Sequence, residues 1–303
     1  MTYQNLNLEG IMTEANNKRT QHIDVCSTLE MVTLMNEEDK QVAHAVEREL
    51  PHIASAIDAI VAGFKRGGRL IYCGAGTSGR LGVLDASECP PTFGTNEEMV
   101  QGFIAGGDYA LRHPIEGAED SYEDGYELMK EIEIKDCDVV VGITASGRTK
   151  YVLGAIESAK EAGAFTVGVC TNANSDLERT ADLTIAPLVG AEVIQGSTRL
   201  KSGTAQKMVL NMLTTGSMIK IGKVYKNYMV DMKPSNEKLM DRSVRLVVEA
   251  TGVANEDAYE KLKQCGFHVK TAIVMIMRSC SFEEAKSLLE ETDGYVSKAI
   301  TLN

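Results

Sequence analysis

The chain has 303 residues, of which 44% are hydrophobic and 24% are charged, so it can build a large core and is not expected to be disordered. Its 31 Lys and Arg residues against 43 Asp and Glu residues give a formal net charge of −12. Such a chain has no surplus positive charge for phosphodiester backbones or anionic lipid surfaces, which argues against nucleic-acid and membrane partners.

Membrane insertion, export and metal binding have no support in the sequence. The longest apolar run, 272–277, is far shorter than the roughly 18 residues of a membrane span, and the first residues lack the basic and apolar regions of a signal peptide. Seven scattered cysteines without a C-x-x-C spacing and five unclustered histidines predict neither a disulfide framework nor a metal site. We therefore expect a cytoplasmic protein.

The first elements in chain order are helices. Apolar residues recur at helical spacing over 28–66, and Pro51 marks a boundary within that stretch. Gly67 ends the helical block. The following run, 69–73, is short and apolar and stops at Gly74, which is typical of a buried parallel strand.

The order of strand, polar loop and helix then recurs about five times. Helices are predicted over 149–163 and 203–223. Further strands are predicted at 103–105, 138–143, 164–170 and 183–186. This pattern predicts an α/β fold with an open parallel five-stranded sheet sandwiched by helices. Only helical patterns follow, so we expect one domain of 1–235, including the N-terminal helices, and a small all-helical C-terminal module of 236–303.

The loop at 74–79 matches the G-x-G-x-x-G pattern of a dinucleotide site. We reject a nicotinamide site, because it needs a full helix and then a strand ending in an acid, whereas Pro90 and Pro91 interrupt this region. Free N–H groups at a helix N-terminus, with the hydroxyls of Thr77 and Ser78, can instead hold a phosphate. A tight turn without a ligand explains the pattern equally well.

A second loop with the same chemistry follows the strand predicted at 138–143. It presents Thr144, Ser146, Gly147 and Thr149. Because the carboxyl ends of parallel strands share one edge of a sheet, both loops would converge on a ligand at a topological switch point. For any single hydroxyl, helix capping is the alternative explanation.

A third polar segment, 196–204, resembles a P-loop but has Leu200 where that motif needs a glycine before the lysine. Its polar side chains could still line a pocket. They are Ser197, Thr198, Arg199 and Lys201.

Two glutamates stand out among the acidic residues. Glu88 precedes Pro90 and is expected one helical turn beyond the first loop, and Glu119 follows the glycines at 106–107. Most glutamates are solvated surface charges. If the fold places these two opposite one another, however, they form an acid and base pair.

Four strings of the sequence carry a family likeness that runs from about residue 8 to the C-terminal module. They are CGAGTSGRLGVLDASECPPTFG (73–94), IAGGDYALRHPIEGAEDS (104–121), GITASGRTKYV (142–152) and PLVGAEVIQGSTRLKSGTAQKMVLNMLTT (187–215). Together they resemble the bacterial N-acetylmuramic acid 6-phosphate etherases, which belong to the sugar isomerase (SIS) fold class and are related to the glucokinase regulatory protein.

The resemblance implies a SIS-type catalytic domain in a cytoplasmic, cofactor-free, homodimeric lyase of peptidoglycan recycling. N-acetylmuramic acid 6-phosphate and water would give N-acetylglucosamine 6-phosphate and D-lactate by C2 deprotonation, elimination and hydration. By match to the family motifs, Glu119 would be the C2 base, and Glu88 would protonate the lactate oxygen and later activate water. The phosphate contacts would fall on Ser78, Thr144, Ser146, Gly147 and Thr149, to which we add Thr77, Gly79 and Ser197 from the same polar segments.

Two other functions fit the same phosphate loops. An aldose–ketose isomerase would shuttle one proton between C2 and C1 and would need no second carboxylate at C3. A sugar-phosphate sensor would bind the ligand without turnover. The presence of both Glu88 and Glu119 favours the etherase.

Overall fold

Two helices precede the sheet in the computed structural model, which describes residues 12–232, 234 and 236–302. They are α1 (Thr28–Glu47) and α2 (Leu50–Lys65). Ser27 caps α1 in a reciprocal capping box with Glu30. Pro51 lies in the first turn of α2, where its missing N–H breaks no helical hydrogen bond. The predicted helical block and its boundary at Pro51 are confirmed.

A parallel sheet of five strands forms the centre of the fold. In spatial order β2-β1-β3-β4-β5, its strands are β1 (Leu70–Gly74), β2 (Val100–Ile104), β3 (Val139–Ile143), β4 (Phe165–Val169) and β5 (Leu183–Ile185). The predicted α/β sheet is confirmed. The prediction located only the end of β2, because Gln101 and Gly102 interrupt the apolar run of this partly exposed edge strand.

Five helices connect and follow the strands: α3 (Gly76–Phe93), α4 (Tyr122–Glu131), α5 (Lys150–Glu161), α6 (Asp176–Thr180) and α7 (Lys201–Lys220). Glycines let two of them pack closely. A Cβ on Gly125 of α4 would lie 1.9 Å from the carbonyl oxygen of Tyr151, and one on Gly154 of α5 would lie 2.1 Å from that of Tyr122. The helical backbones therefore touch, which fixes α5 and the loop that precedes it.

The expected interruption at Pro90 and Pro91 is wrong. Both prolines lie inside α3, near its C-terminal end. Each proline removes one backbone donor, but the helix continues past them to Gly94, whose N–H donates to the carbonyl of Pro90 at 3.0 Å and whose φ is +62°. The nicotinamide alternative still lacks its acid, because β2 ends at Ile104 rather than at a carboxylate.

The C-terminal part of the chain is helical, as predicted. It contains α8 (Glu237–Thr251), α9 (Asn255–Gln264), α10 (Val269–Arg278), α11 (Phe282–Glu291) and α12 (Val296–Thr301). Their apolar faces meet in one core around Ile273 of α10 and Leu262 of α9. A small antiparallel hairpin of β6 (Val224–Tyr225) and β7 (Tyr228–Met229) precedes them. Strands of two residues are too short to produce a readable alternation, so the sequence did not predict them.

The chain divides into two compact units. The first comprises the residues up to Ala86 and Glu98–Leu213, and the second comprises Ser87–Glu97 and the residues from Thr214 onward. The expected domains, 1–235 and 236–303, stay a prediction, because a domain is defined by folding on its own. No helix in the described part of the chain is long and apolar enough to cross a bilayer.

Candidate active site

The strand order opens a crevice at one edge of the sheet. The chain visits β2 on one side of β1 and then crosses to β3 on the other side. Ligands of open α/β sheets bind at such a reversal, outside the carboxyl ends of the strands. Gly74 and Ile143, the last residues of β1 and β3, are register partners. The two predicted phosphate loops therefore start side by side.

Glycines shape the first loop where β1 turns into α3. Gly76 begins the helix with a φ of +53°, a conformation that favours glycine. A Cβ on Gly79 would lie 2.7 Å from the carbonyl oxygen of Gly74, so the turn closes without room for a side chain. The N–H of Gly79 already donates to Ala75 at 3.1 Å. Gly79 is therefore required because no side chain fits at its position. The hydroxyls of the loop belong to Thr77 and Ser78, in the first turn of α3.

Helix α7 supports this first loop from behind. The buried hydroxyl of Ser78 donates to Oε1 of Gln206 at 2.8 Å. One turn earlier in α7, a Cβ on Gly203 would lie 3.4 Å from Cγ2 of Thr77, so the helix lies directly against the loop. Gln206 could not be identified from the sequence, because nothing in the pattern of α7 distinguishes it from other helical residues.

The second loop brings three hydroxyls together. The buried Oγ1 of Thr144 lies 2.7 Å from Oγ1 of Thr149 and 3.3 Å from Oγ of Ser146. Thr149 occupies the N-cap position of α5 but makes no side-chain capping bond, so capping does not explain this residue. Gly147 has a φ of +72°, and a Cβ there would lie 2.3 Å from Cβ of Ser175. The loop is thus built around a glycine and a hydroxyl cluster.

Glu119 lines a cavity that also includes the start of the first loop. This cavity of about 210 Å³ is bordered by Gly76 and Arg80 of α3 and by Glu119. Glu119 is exposed and lies in a short 3₁₀-helix, Ala118–Asp120. Arg80 donates to two carbonyls of the segment that leads there, those of Ala110 at 2.7 Å and Leu111 at 2.9 Å. The arrangement holds a carboxylate beside a candidate phosphate loop.

Glu88 lies farther along α3 than the sequence suggested. It is exposed and follows Gly79 by nine residues in one continuous helix, which is about two and a half turns. The expected distance of one turn is wrong, because α3 begins at Gly76 and runs unbroken through Glu88. Glu88 belongs to the second unit and Glu119 to the first, and their pairing stays a prediction.

The third polar segment is only partly available to a ligand. Lys201 is 1% exposed, and its ammonium group donates to Glu38 at 2.8 Å and to the carbonyl of Val189 at 2.9 Å. The expectation that Lys201 could line a pocket is wrong, because these buried acceptors occupy it. Ser197 and Thr198 are half-buried and Arg199 is exposed, so these three side chains remain accessible.

The thiol at the end of β1 is unreactive, and the described residues contain no cluster of metal ligands. None of the seven cysteines forms a disulfide, and burial raises the pKa of the Cys73 thiol, at the end of β1, to about 12. A thiol with that pKa is not a nucleophile near neutral pH. No group of three or more His, Cys, Asp or Glu side chains among the described residues could hold a metal ion.

Two family models and solved structures match part of the chain. A family model described as the glucokinase regulatory protein N-terminal SIS domain matches residues 52–160, and the SIS domain model matches residues 118–216. Among solved structures, the chain is similar to a phosphoheptose isomerase from Francisella tularensis, with a TM-score of 0.47 and 18% identity over 63% of this chain and 100% of that one.

Three curated relatives match over almost their full length, and all are named N-acetylmuramic acid 6-phosphate etherase. The relative from Clostridium beijerinckii is 55% identical over 98% of both chains. Those from Caldanaerobacter subterraneus and Photobacterium profundum are 54% and 52% identical, over 98% and 97% of this chain and 97% and 98% of their own. With identities this high over nearly the whole sequence, this chain belongs to the N-acetylmuramic acid 6-phosphate etherase family.

Proposed function

We propose that this protein cleaves the D-lactyl ether of N-acetylmuramic acid 6-phosphate with water, giving N-acetylglucosamine 6-phosphate and D-lactate in peptidoglycan recycling. The observation that carries the proposal is the cavity in which Glu119 lies beside the start of the first loop. The relatives' shared name identifies the substrate and reaction class to test.

The open-chain sugar makes the reaction possible without a cofactor. Its C1 aldehyde acidifies the C2 proton, which Glu119 removes. The C3–O bond then breaks, Glu88 protonates the departing lactate oxygen, and a C2=C3 double bond forms. Glu88, now a carboxylate, takes a proton from water as the hydroxyl group adds to C3, and Glu119 returns its proton to C2. Two carboxyl groups therefore account for every proton transfer in the reaction.

The phosphate is held by neutral donors in this proposal. The hydroxyl of Thr144 already lies within hydrogen-bond distance of those of Ser146 and Thr149, and a phosphate can replace these contacts with charge-assisted ones. The first turn of α3, with Thr77 and Ser78, adds backbone donors and a helix dipole that favours an anion. Ser197 is the remaining candidate, from the third segment. Specific donors suit a chain whose net charge is −12.

We infer a cytoplasmic homodimer. The start of α1 exposes Leu29 and Val32, at 75% and 47%, and Val25 just before it is 79% exposed. Apolar side chains so close together are typical of an interface. Seven cysteines that form no disulfide suit a reducing compartment. Sedimentation equilibrium should give twice the chain mass, and Leu29→Glu should shift the protein toward the monomer; a monomeric wild-type protein would contradict the inference.

Incubation with N-acetylmuramic acid 6-phosphate tests the proposed reaction. We expect stoichiometric D-lactate and N-acetylglucosamine 6-phosphate, at a rate that exhaustive chelation leaves unchanged, because carboxylates supply the proton transfers and no Lewis acid is needed. A ketose without lactate would identify an isomerase. Binding without any turnover would identify a sensor.

A further inference from the structure

The amide of Gln206 is buried behind the first loop, and its nitrogen makes no hydrogen bond to the described residues. Its side chain is 1% exposed, and its Oε1 accepts from Ser78 at 2.8 Å. Its Nε2 is buried and has no hydrogen-bond partner among the described residues. A buried N–H group without a partner costs about 1–3 kcal/mol and is rare in folded proteins.

This arrangement conflicts with a phosphate-binding role for Ser78. A serine hydroxyl has one proton, and here that proton goes to Oε1 of Gln206. A phosphate oxygen only accepts hydrogen bonds, so Ser78 in this state has nothing to donate to it. The hydroxyl must first be released by the amide.

Rotation of the amide by half a turn removes the conflict. The nitrogen and oxygen of a glutamine amide have nearly the same shape, so the rotation exchanges their positions without repacking. Nε2 then donates to Oγ of Ser78, and the hydroxyl proton becomes free for the ligand. Donors in such a chain polarise one another, which strengthens the terminal bond to an anion. The carbonyl left without a partner is more easily tolerated than an N–H group.

We propose that Gln206 is a positioning residue that directs the Ser78 hydroxyl at the substrate phosphate. Its amide donates to Ser78 when a phosphorylated sugar binds. This inference rests on the proposed function, since it assumes that the first loop holds the phosphate. The position of Gln206 suits the role, because α7 lies against Thr77 one turn earlier, at Gly203, and the amide contacts Ser78 directly.

A double-mutant cycle tests the proposal. The variants are Ser78→Ala, Gln206→Met and the double variant, with calorimetric affinity for N-acetylglucosamine 6-phosphate and kcat/KM as readouts. We expect each single variant to lose about 10-fold or more in affinity, the range of a charge-assisted hydrogen bond. The double variant should be no weaker than Ser78→Ala alone, because Gln206 acts only through that hydroxyl. Gln101→Met serves as the matched control, because Gln101 is a partly exposed glutamine on β2. This variant should bind the sugar phosphate with wild-type affinity.

A merely structural role gives different results. Gln206→Met removes a buried donor without a partner and also the acceptor of Ser78; these two changes oppose each other, so the melting temperature should change little while affinity falls. Gln206→Glu, which keeps the shape but only accepts, should bind at least as weakly as the Met variant, and it replaces that variant in the cycle if the latter does not fold. Additive losses, or full affinity of both Gln206 variants beside an impaired Ser78→Ala, would overturn the inference and leave the proposed function standing. Full affinity of Ser78→Ala would overturn the phosphate role of the first loop itself.

Discussion

Lys201 and Glu38 form an ion pair of 2.8 Å although their side chains are only 1% and 3% exposed. Burial alone would raise the pKa of Glu38, but hydrogen bonds from Lys201 and Arg19 outweigh it and lower the pKa, so the carboxylate stays ionised. The pair joins α1 to the first residue of α7. The carboxylate of Glu192 accepts the backbone N–H groups of Lys201 and Ser202 at 2.9 Å each and caps the same end of α7. The helix that supports the first loop is therefore fixed at its N-terminus.

Lys201→Met should destabilise the protein by about 3–5 kcal/mol, because it leaves a buried carboxylate without its main partner. Urea unfolding followed by circular dichroism measures the change. Lys40→Met is the matched control, since Lys40 pairs with Glu37 on the exposed surface of α1 and should contribute less than about 1 kcal/mol. Equal unfolding midpoints for the two variants would show that the buried pair is not a structural anchor.

Lys201 also illustrates where reasoning from sequence fails. A lysine in a segment rich in serine and glycine is typical of anion binding, but its partner Glu38 lies 163 residues away in the chain. Buried pairs of such separation leave no local pattern. The clustering of the Thr144, Ser146 and Thr149 hydroxyls could be predicted, because all three residues lie in one loop after a recognisable strand. Glu88 was misplaced because the sequence did not show that α3 begins at Gly76 and continues unbroken past Glu88.

Asp231 should make the stability of the second unit depend on pH in the acid range. It is 8% exposed and lies 2.8 Å from Lys270, 3.2 Å from Lys223 and 3.3 Å from His268. Burial would raise its pKa, but the neighbouring His268 and the charges of the two lysines lower it to about 2, from an ordinary value of 3.8. A lowered carboxyl pKa contributes stability that is present above the unfolded value and lost as pH falls through the folded value.

Asp231→Asn should therefore lower the free energy of unfolding most above about pH 4. The difference in unfolding free energy from the wild type should narrow by about 2 kcal/mol as pH falls toward 2. Urea midpoints across this range measure it. Asp136→Asn is the control, because Asp136 is exposed and pairs with Arg66 at the surface, so its effect should be small throughout. A difference in unfolding midpoint between Asp231→Asn and the wild type that does not change with pH would contradict an ionised Asp231.

Ser146→Ala tests the second loop. The Ser146 hydroxyl is half-buried, accepts from the N–H of Arg148 at 3.2 Å and lies beside Thr144. If it donates to the phosphate, its removal should lower kcat/KM by the equivalent of about 1.5–3 kcal/mol with the fold intact. Ser55→Ala, at an exposed serine of α2, should leave the kinetics unchanged. Wild-type kinetics in Ser146→Ala would exclude this hydroxyl from the binding site.

Hydrogen exchange can distinguish the roles of the two glutamates. Glu→Gln keeps the side-chain shape but abolishes proton transfer, so Glu88→Gln and Glu119→Gln should each release lactate on the order of 10² to 10⁴ times more slowly. In deuterated water, the C2 hydrogen of N-acetylglucosamine 6-phosphate should still exchange in Glu88→Gln, where the proposed C2 base survives, and should not exchange in Glu119→Gln.

Glu123→Gln is the matched control for this experiment, since Glu123 is an exposed acid in the first turn of α4 and should keep both activities. The reverse exchange pattern would interchange the two roles and keep the pair. If both Glu88→Gln and Glu119→Gln exchange and release lactate at wild-type rates, neither carboxylate moves a proton in the reaction. The cavity beside Gly76 would then need another base, and the proposed mechanism would have to be abandoned even if the protein still makes lactate.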